Sequence, residues 1–239
     1  MRDTIKIKQH GTTKIVAHRG VSGLETENTA AAYIAAGNRS YWGIETDIYR
    51  TADGHFICSH DKSSGRICDV NLVMEDSTLE ELRALRLRDI DGKSDRADLM
   101  LCIPSEYRKI CESYGKVCIA ELKSTFTPEE IAEIMDIFDG YLDKTCFISF
   151  KYQNLELIKK LRPEQPCQFL TDDWDKDLPQ KLAAAGMGLD ISYTELSERK
   201  VRLCHEAGVE VNCWTVDSLK EAEKLIRWGV DQITTNILE

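Results

Sequence analysis

No Cys-x-x-Cys pair occurs in this chain of 239 residues, although cysteine itself stands at nine positions. Without metal-ligand spacing, and with the thiols scattered through apolar segments, neither a disulfide framework nor a structural zinc site is expected. The cysteines read as small buried hydrophobes in a reducing, cytoplasmic compartment. Also missing is any stretch near the ~20 apolar residues that cross a bilayer, and the amino-terminal MRDTIKIKQHGTTK is polar. A basic surplus is absent too: 31 Lys and Arg face 41 Asp and Glu, a formal net charge of -10. Such a surface repels nucleic acid and anionic membranes, so neither is expected as a partner. No repeat, low-complexity tract or linker interrupts the chain. The sequence leaves the oligomeric state open.

What is present is enough for a core. Hydrophobic residues make up 42% and charged residues 30%. The length is close to the ~250 residues of an eight-unit α/β barrel, so one domain is expected over 1–239. Short β-rich runs at 14–18, 43–49, 117–123, 145–150, 166–170, 187–191, 209–214 and 230–234 alternate with helical patterns. That rhythm predicts a (β/α)8 TIM barrel. Thr127, Pro128 and Glu130 predict a capping box, with Ile131, Ile134, Met135 and Phe138 on the buried face that follows. Ser218 and Glu221 predict a second box, with Gly229 ending that helix. Between residues 62 and 101 the rhythm breaks into a small insertion after the second strand. It carries a predicted helix over 78–88 and a polar stretch.

Strand alternation places Glu45 and Asp47 on one face of the second strand, and Glu121 with Lys123 on one face of the third. Inward carboxylates repel one another unless a cation lies between them. Three hard oxygen donors suit Mg2+ or Ca2+ better than zinc, with Mn2+ also admissible. Taken strand by strand, a solvated face for Glu45 and Asp47 and a simple Glu121 to Lys123 salt bridge remain alternatives. His18 ends the first strand. His60 ends a short hairpin arm, 55–59. Two imidazoles can pass protons in both directions near pH 7, and Arg19 and Lys123 offer positive charge for a phosphate. His10, His55 and His205 read as structural, His205 on the helix before the seventh strand.

In order, His18, Arg19 and Gly20, then Glu27, Asn28 and Thr29, then Glu45 and Asp47, His60 and Asp61, Glu121 and Lys123, and late Trp214 with the closing GVDQITTN, form a set that resembles the glycerophosphodiester phosphodiesterase family from about residue 14 onward. The resemblance implies a barrel in which Glu45, Asp47 and Glu121 bind one divalent cation and His18 and His60 act as general base and general acid. It implies that Arg19 and Lys123 hold phosphate and that Trp214 walls a glycerol pocket. Asn28 is expected to support these groups or cap a helix. The implied reaction turns a soluble glycerophosphodiester into glycerol 3-phosphate and an alcohol such as choline or ethanolamine. In that family the glycerol hydroxyl attacks first, giving a cyclic phosphate that water opens. Two positions depart from the pattern, Thr26 where proline is usual and Asn236 where aspartate is common. A lipid-directed phosphodiesterase on the same barrel is the alternative, its one apolar candidate for docking being Leu72, Val73 and Met74. A catalytically silent binding barrel is the other.

Overall fold

The computed structural model describes residues 3–239; Met1 and Arg2 of the expected 1–239 span lie outside it. Eight parallel strands close into a barrel: β1 (Lys14–Ala17), β2 (Gly43–Arg50), β4 (Val117–Leu122), β5 (Thr145–Ser149), β6 (Cys167–Thr171), β7 (Gly188–Ser192), β8 (Val211–Trp214) and β9 (Gln232–Thr235). Closure comes from β1 lying parallel to both β2 and β9, with Val16 opposite Gly43 and Thr234. One further strand, β3 (Phe56–Cys58), runs antiparallel to the far end of β2. It is the hairpin arm that leads to His60. The helices are α1 (Ala30–Gly37), α2 (Leu79–Arg83), α3 (Pro104–Ser113), α4 (Pro128–Ile137), α5 (Tyr152–Leu161), α6 (Leu178–Ala185), α7 (Glu198–Glu206) and α8 (Leu219–Arg227).

The barrel strands follow the predicted runs to within two residues at their ends, and the main core lies where alternation puts it. Cys118, Ala120 and Leu122 pack outward with helix residues such as Ile131, Ile134 and Phe138, while Ile119 belongs to a separate interior cluster with Val16, Ile148 and Leu170. Each such fully buried aliphatic side chain contributes roughly 1.5–3 kcal/mol relative to exposure. The Thr127 box forms as expected: the hydroxyl accepts from the Glu130 amide, and the Glu130 carboxylate accepts from the Thr127 amide at 2.8 Å. His205 sits on α7, its Nε2 2.9 Å from Asp231, and His10 pairs with the Thr13 carbonyl.

Two local expectations are corrected. The helix expected over 78–88 stops at Arg83, because Leu85 and Leu87 extend to bury themselves with Cys68, Leu99 and Leu101 in a satellite core. Alternate leucines are best buried by an extended chain, and the Arg88 amide bonds the Ile67 carbonyl instead of a helical partner. The Ser218 box does not form, since Ser218 makes no side-chain cap bond and Glu221 turns to accept from Lys224 one helical turn on. Gly229 does follow the end of α8, at φ 83°.

Candidate functional site

The site lies at the carboxyl ends of the strands, where barrel chemistry is built. Glu45, Asp47 and Glu121 are buried, and one carboxylate oxygen from each lies within 4.8 Å of the other two. Register explains the meeting, because Asp47 of β2 stands directly opposite Glu121 of β4. Glu45 Oε1 and Asp47 Oδ1 are buried without a hydrogen-bond partner among the described residues. Lys123 Nζ reaches Glu121 at 2.9 Å and approaches Asp47 Oδ1 at 3.3 Å, so the salt bridge and the carboxylate cluster coexist. Three buried carboxylates this close, one of them with an oxygen that has no partner among the described residues, fit a hard divalent cation, and the triad could bind one. Burial, then the charges of Asp47 and Glu121, hold Glu45 well above the usual carboxylate range; burial, then the Asp47 charge, pushes Glu121 up to about 7. Asp47 is lowered: burial opposes its ionisation, but Lys123 and Arg19 outweigh it.

The turn after β1 shapes one wall. Arg19 adopts φ 55°, which aims its backbone N–H at Glu45 Oε2, 2.7 Å away, while its guanidinium donates to Glu27 at 2.9 Å. Gly20 follows at φ 78°, and a Cβ there would lie 2.6 Å from the Ala32 backbone. The glycine after His18 and Arg19 is therefore a packing requirement as well as a conformational one. Gly20→Ala should cost about 2 kcal/mol or more, from overpacking added to a strained φ. Gly54→Ala is the control, because Gly54 shares a positive φ of 80° but has open space around it. Equal losses of Tm in the two variants would show that the Ala32 contact is harmless.

Asn28, also in the left-handed region at φ 55°, donates from Nδ2 to Asp47 Oδ2 at 2.8 Å. Its Oδ1 accepts from the hydroxyls of Tyr33 and Thr46, each at 3.0 Å. It thus orients Asp47 from behind, and the alternative that it caps a helix is corrected: Thr29 is the N-cap of α1. Thr26 places its hydroxyl on the Arg88 carbonyl, tying the insertion to this turn.

His18 and His60 both line one cavity of about 170 Å³ with Arg19, Glu45, Glu121 and Lys123. Facing them is an apolar wall of Ile148, Phe150, Leu170 and Trp214, with Phe150 and Trp214 in edge contact at 5.8 Å between ring centres. A larger cavity, about 450 Å³, opens around Lys14, Trp42 and Gln232 near the strands' amino ends, away from these groups. The two imidazoles have different partners. His18 Nδ1 lies 2.7 Å from Asn236 Oδ1, whereas His60 Nδ1 lies 2.7 Å from the Asp61 carboxylate, itself held by Arg66. Burial first, then the charge of Arg19, pushes His18 down to about 4, and burial lowers His60 as well.

All eight residues singled out from the sequence therefore meet around this chamber: seven line it directly, and Asp47 joins through the carboxylate cluster. Sequence reasoning missed Asp217, Phe150 and Asp190. Asp217 accepts from the Asn236 side-chain and backbone N–H groups at 2.6 and 2.8 Å. Asp190 was readable in principle, as a carboxyl between outward Leu189 and Ile191. Leu72, Val73 and Met74 form no apolar lip; Met74 is fully buried and Leu72 packs on the satellite core.

A profile of the glycerophosphoryl diester phosphodiesterase family matches residues 18–239. A glycerophosphodiester phosphodiesterase of Caldanaerobacter subterraneus is 27% identical over 234 residues, covering 94% of each chain. Among solved structures, an Oleispira antarctica phosphodiesterase in complex with the product sn-glycerol-3-phosphate superposes with a TM-score of 0.87 at 25% identity, covering 93% of this chain and 92% of that one. A Parabacteroides distasonis glycerophosphodiester phosphodiesterase gives 0.77 at 28% identity, covering 94% and 93%. With the family profile spanning almost the whole chain and the barrel shared with these structures, this chain belongs to the glycerophosphoryl diester phosphodiesterase family and is a phosphoric diester hydrolase.

Proposed function

We propose that the chain hydrolyses soluble glycerophosphodiesters to glycerol 3-phosphate and a free alcohol, with His18 as general base and His60 as general acid. The observation that carries this is the meeting of three buried carboxylates with two imidazoles in one chamber. A divalent cation on Glu45, Asp47 and Glu121, of the Mg2+, Ca2+ or Mn2+ kind, would supply Lewis acidity toward a phosphate oxygen. Arg19 and Lys123 add fixed positive charge on the same side of the chamber. Trp214 and Phe150 bound the space left for the glycerol carbons.

The division of labour between the histidines rests on their ring partners. Asp217 is an acceptor, so it fixes the Asn236 amide with Nδ2 toward itself and Oδ1 toward His18. An acceptor at His18 Nδ1 requires the proton on that nitrogen, which leaves Nε2 free to take a proton from the attacking hydroxyl. A neutral amide also gives little support to an imidazolium. His60 has a carboxylate at Nδ1, which does support one, and so suits protonation of the departing alcohol.

The test is release of glycerol 3-phosphate from a panel of glycerophosphodiesters, with and without chelator. Failure to cleave any member overturns the proposal. A lipid-directed enzyme needs apolar or basic surface for docking, whereas the net charge here is -10 and Leu72 and Met74, the apolar docking candidates, pack into the satellite core. Glycerophosphocholine or glycerophosphoethanolamine should therefore exceed a lysophospholipid in kcat/KM by at least about tenfold. A preference for the acylated substrate would promote the lipid-directed reading. Nine free, buried cysteines accord with a reducing compartment, and we infer a cytoplasmic one.

A further inference from the structure

Asp190 is a fourth carboxyl inside the barrel, and neither the carboxylate cluster nor the histidines account for it. On β7 it stands beside Leu170 of β6 and Asn212 of β8, and its neighbours Leu189 and Ile191 pack outward into the main core. The side chain therefore points into the barrel. It is 1% exposed, it lines the 170 Å³ chamber, and its Oδ1 has no hydrogen-bond partner among the described residues. No cation pairs with it among the described residues; Lys123 and Arg19 are engaged with Asp47, Glu121 and Glu27. A buried polar atom without a partner is costly, and one that faces a ligand chamber is best explained by a partner that the ligand brings.

The chamber's two sides restrict what that partner can be. Cationic groups and the carboxylate cluster gather on one side, where a phosphate belongs. The other side is formed by Ile148, Phe150, Leu170 and Trp214, and its polar groups are Asp190, Thr215, Thr234 and the Trp214 Nε1–H, which has no partner among the described residues. Thr234 already spends its hydroxyl on Asn212 Oδ1 at 3.3 Å. Among these groups Asp190 is the one carboxyl, so it is the acceptor for a substrate hydroxyl, whereas the Trp214 Nε1–H can only donate. A glycerol chain carries hydroxyls there, and each needs a partner once water is excluded.

We propose that Asp190 is a specificity-determining residue that hydrogen-bonds a hydroxyl of the glycerol moiety, selecting glycerol phosphates over alkyl phosphates of the same length. This rests on the glycerophosphodiesterase reading of the chamber. In either protonation state the carboxyl accepts from a hydroxyl. Burial, followed by the charge of Glu121, holds it well above the usual carboxylate range against the opposing influence of the Asn212 side chain, so in its neutral form it donates as well. The preference arises because propyl phosphate would leave Oδ1 buried and unpaired, whereas glycerol 3-phosphate would satisfy it.

The experiment is calorimetric binding of glycerol 3-phosphate and of propyl phosphate to the full-length protein in saturating Mg2+, alongside an assay of diester hydrolysis. Wild-type protein should bind glycerol 3-phosphate about tenfold or more tightly than propyl phosphate, as one well-made hydrogen bond in a dry site allows. Asp190→Leu should collapse that ratio toward one by weakening the glycerol ligand alone, and Asp190→Asn, which can still accept and donate, should retain most of it. Wild-type protein that hydrolyses the diesters yet binds the two monophosphates equally overturns the assignment without any variant. So does a ratio unchanged in Asp190→Leu. Absence of diester hydrolysis by wild type is a different result, which removes the functional reading on which the inference stands.

Discussion

Chelation should abolish turnover, and Mg2+ or Ca2+ should restore it. Glu45, Asp47 and Glu121 are buried with one carboxylate oxygen of each within 4.8 Å of the others; Glu45 Oε1 has no hydrogen-bond partner among the described residues, and Asp47 Oδ1 has only the Lys123 ammonium at 3.3 Å, an arrangement that repulsion opposes unless a cation occupies it. The same repulsion makes binding pH-dependent. Protons and cation compete for the carboxylates, and Glu121 is pushed up to about 7 by burial and then by the Asp47 charge. Above that pH it is ionised and ready to ligate. As pH falls through about 7 a proton must be displaced, so affinity should fall by about tenfold per unit for each proton released. Glu121→Gln keeps the shape and removes the charge, and calorimetry should show metal affinity at least ~10-fold weaker with the barrel still folded. Full turnover in metal-free buffer would remove the metal assignment. Unchanged affinity in Glu121→Gln would return Glu121 to being only the salt-bridge partner of Lys123.

The barrel and the carboxylates were legible because period-two alternation is a local rule. Once 43–49 and 117–123 are strands, Glu45, Asp47 and Glu121 must face inward, and β2 to β4 register then sets Asp47 opposite Glu121. Less legible was anything decided by distant packing. Residues 84–88 carry a respectable helical pattern, yet Leu85 and Leu87 gain more by extending into the satellite core beside Leu99 and Leu101. Ser218 and Glu221 have capping-box spacing, but Lys224 offers Glu221 a charged partner. In the sequence Asn236 stands out only as a departure from the family pattern. Its significance depends on meeting His18 across 218 residues of sequence and Asp217 across 19, and no local pattern encodes either meeting.

His18→Ala and His60→Ala should each lower turnover by at least ~10²-fold with the fold intact, the usual scale for losing one proton-transfer group. Near wild-type turnover in either variant would show that histidine to be structural. The pH dependence separates His18 from the metal ligands. Burial and the Arg19 charge hold its imidazolium down to about 4, so the base stays neutral at neutral pH and is lost only as pH falls through about 4. At saturating metal, where the carboxylates are already deprotonated, no loss from His18 should be seen between pH 8 and 5. Asn236 supplies the sharper measurement. Removing its Oδ1 in Asn236→Ala leaves the Nδ1–H unpartnered and lets the ring adopt the other tautomer, so kcat should fall by roughly 10-fold or more while KM changes little. If the amide acts only through His18, the losses cannot add. Asn236→Ala should then cost nothing further in a His18→Ala background, and a full additional loss in the double variant would show that Asn236 serves the site by some route other than His18.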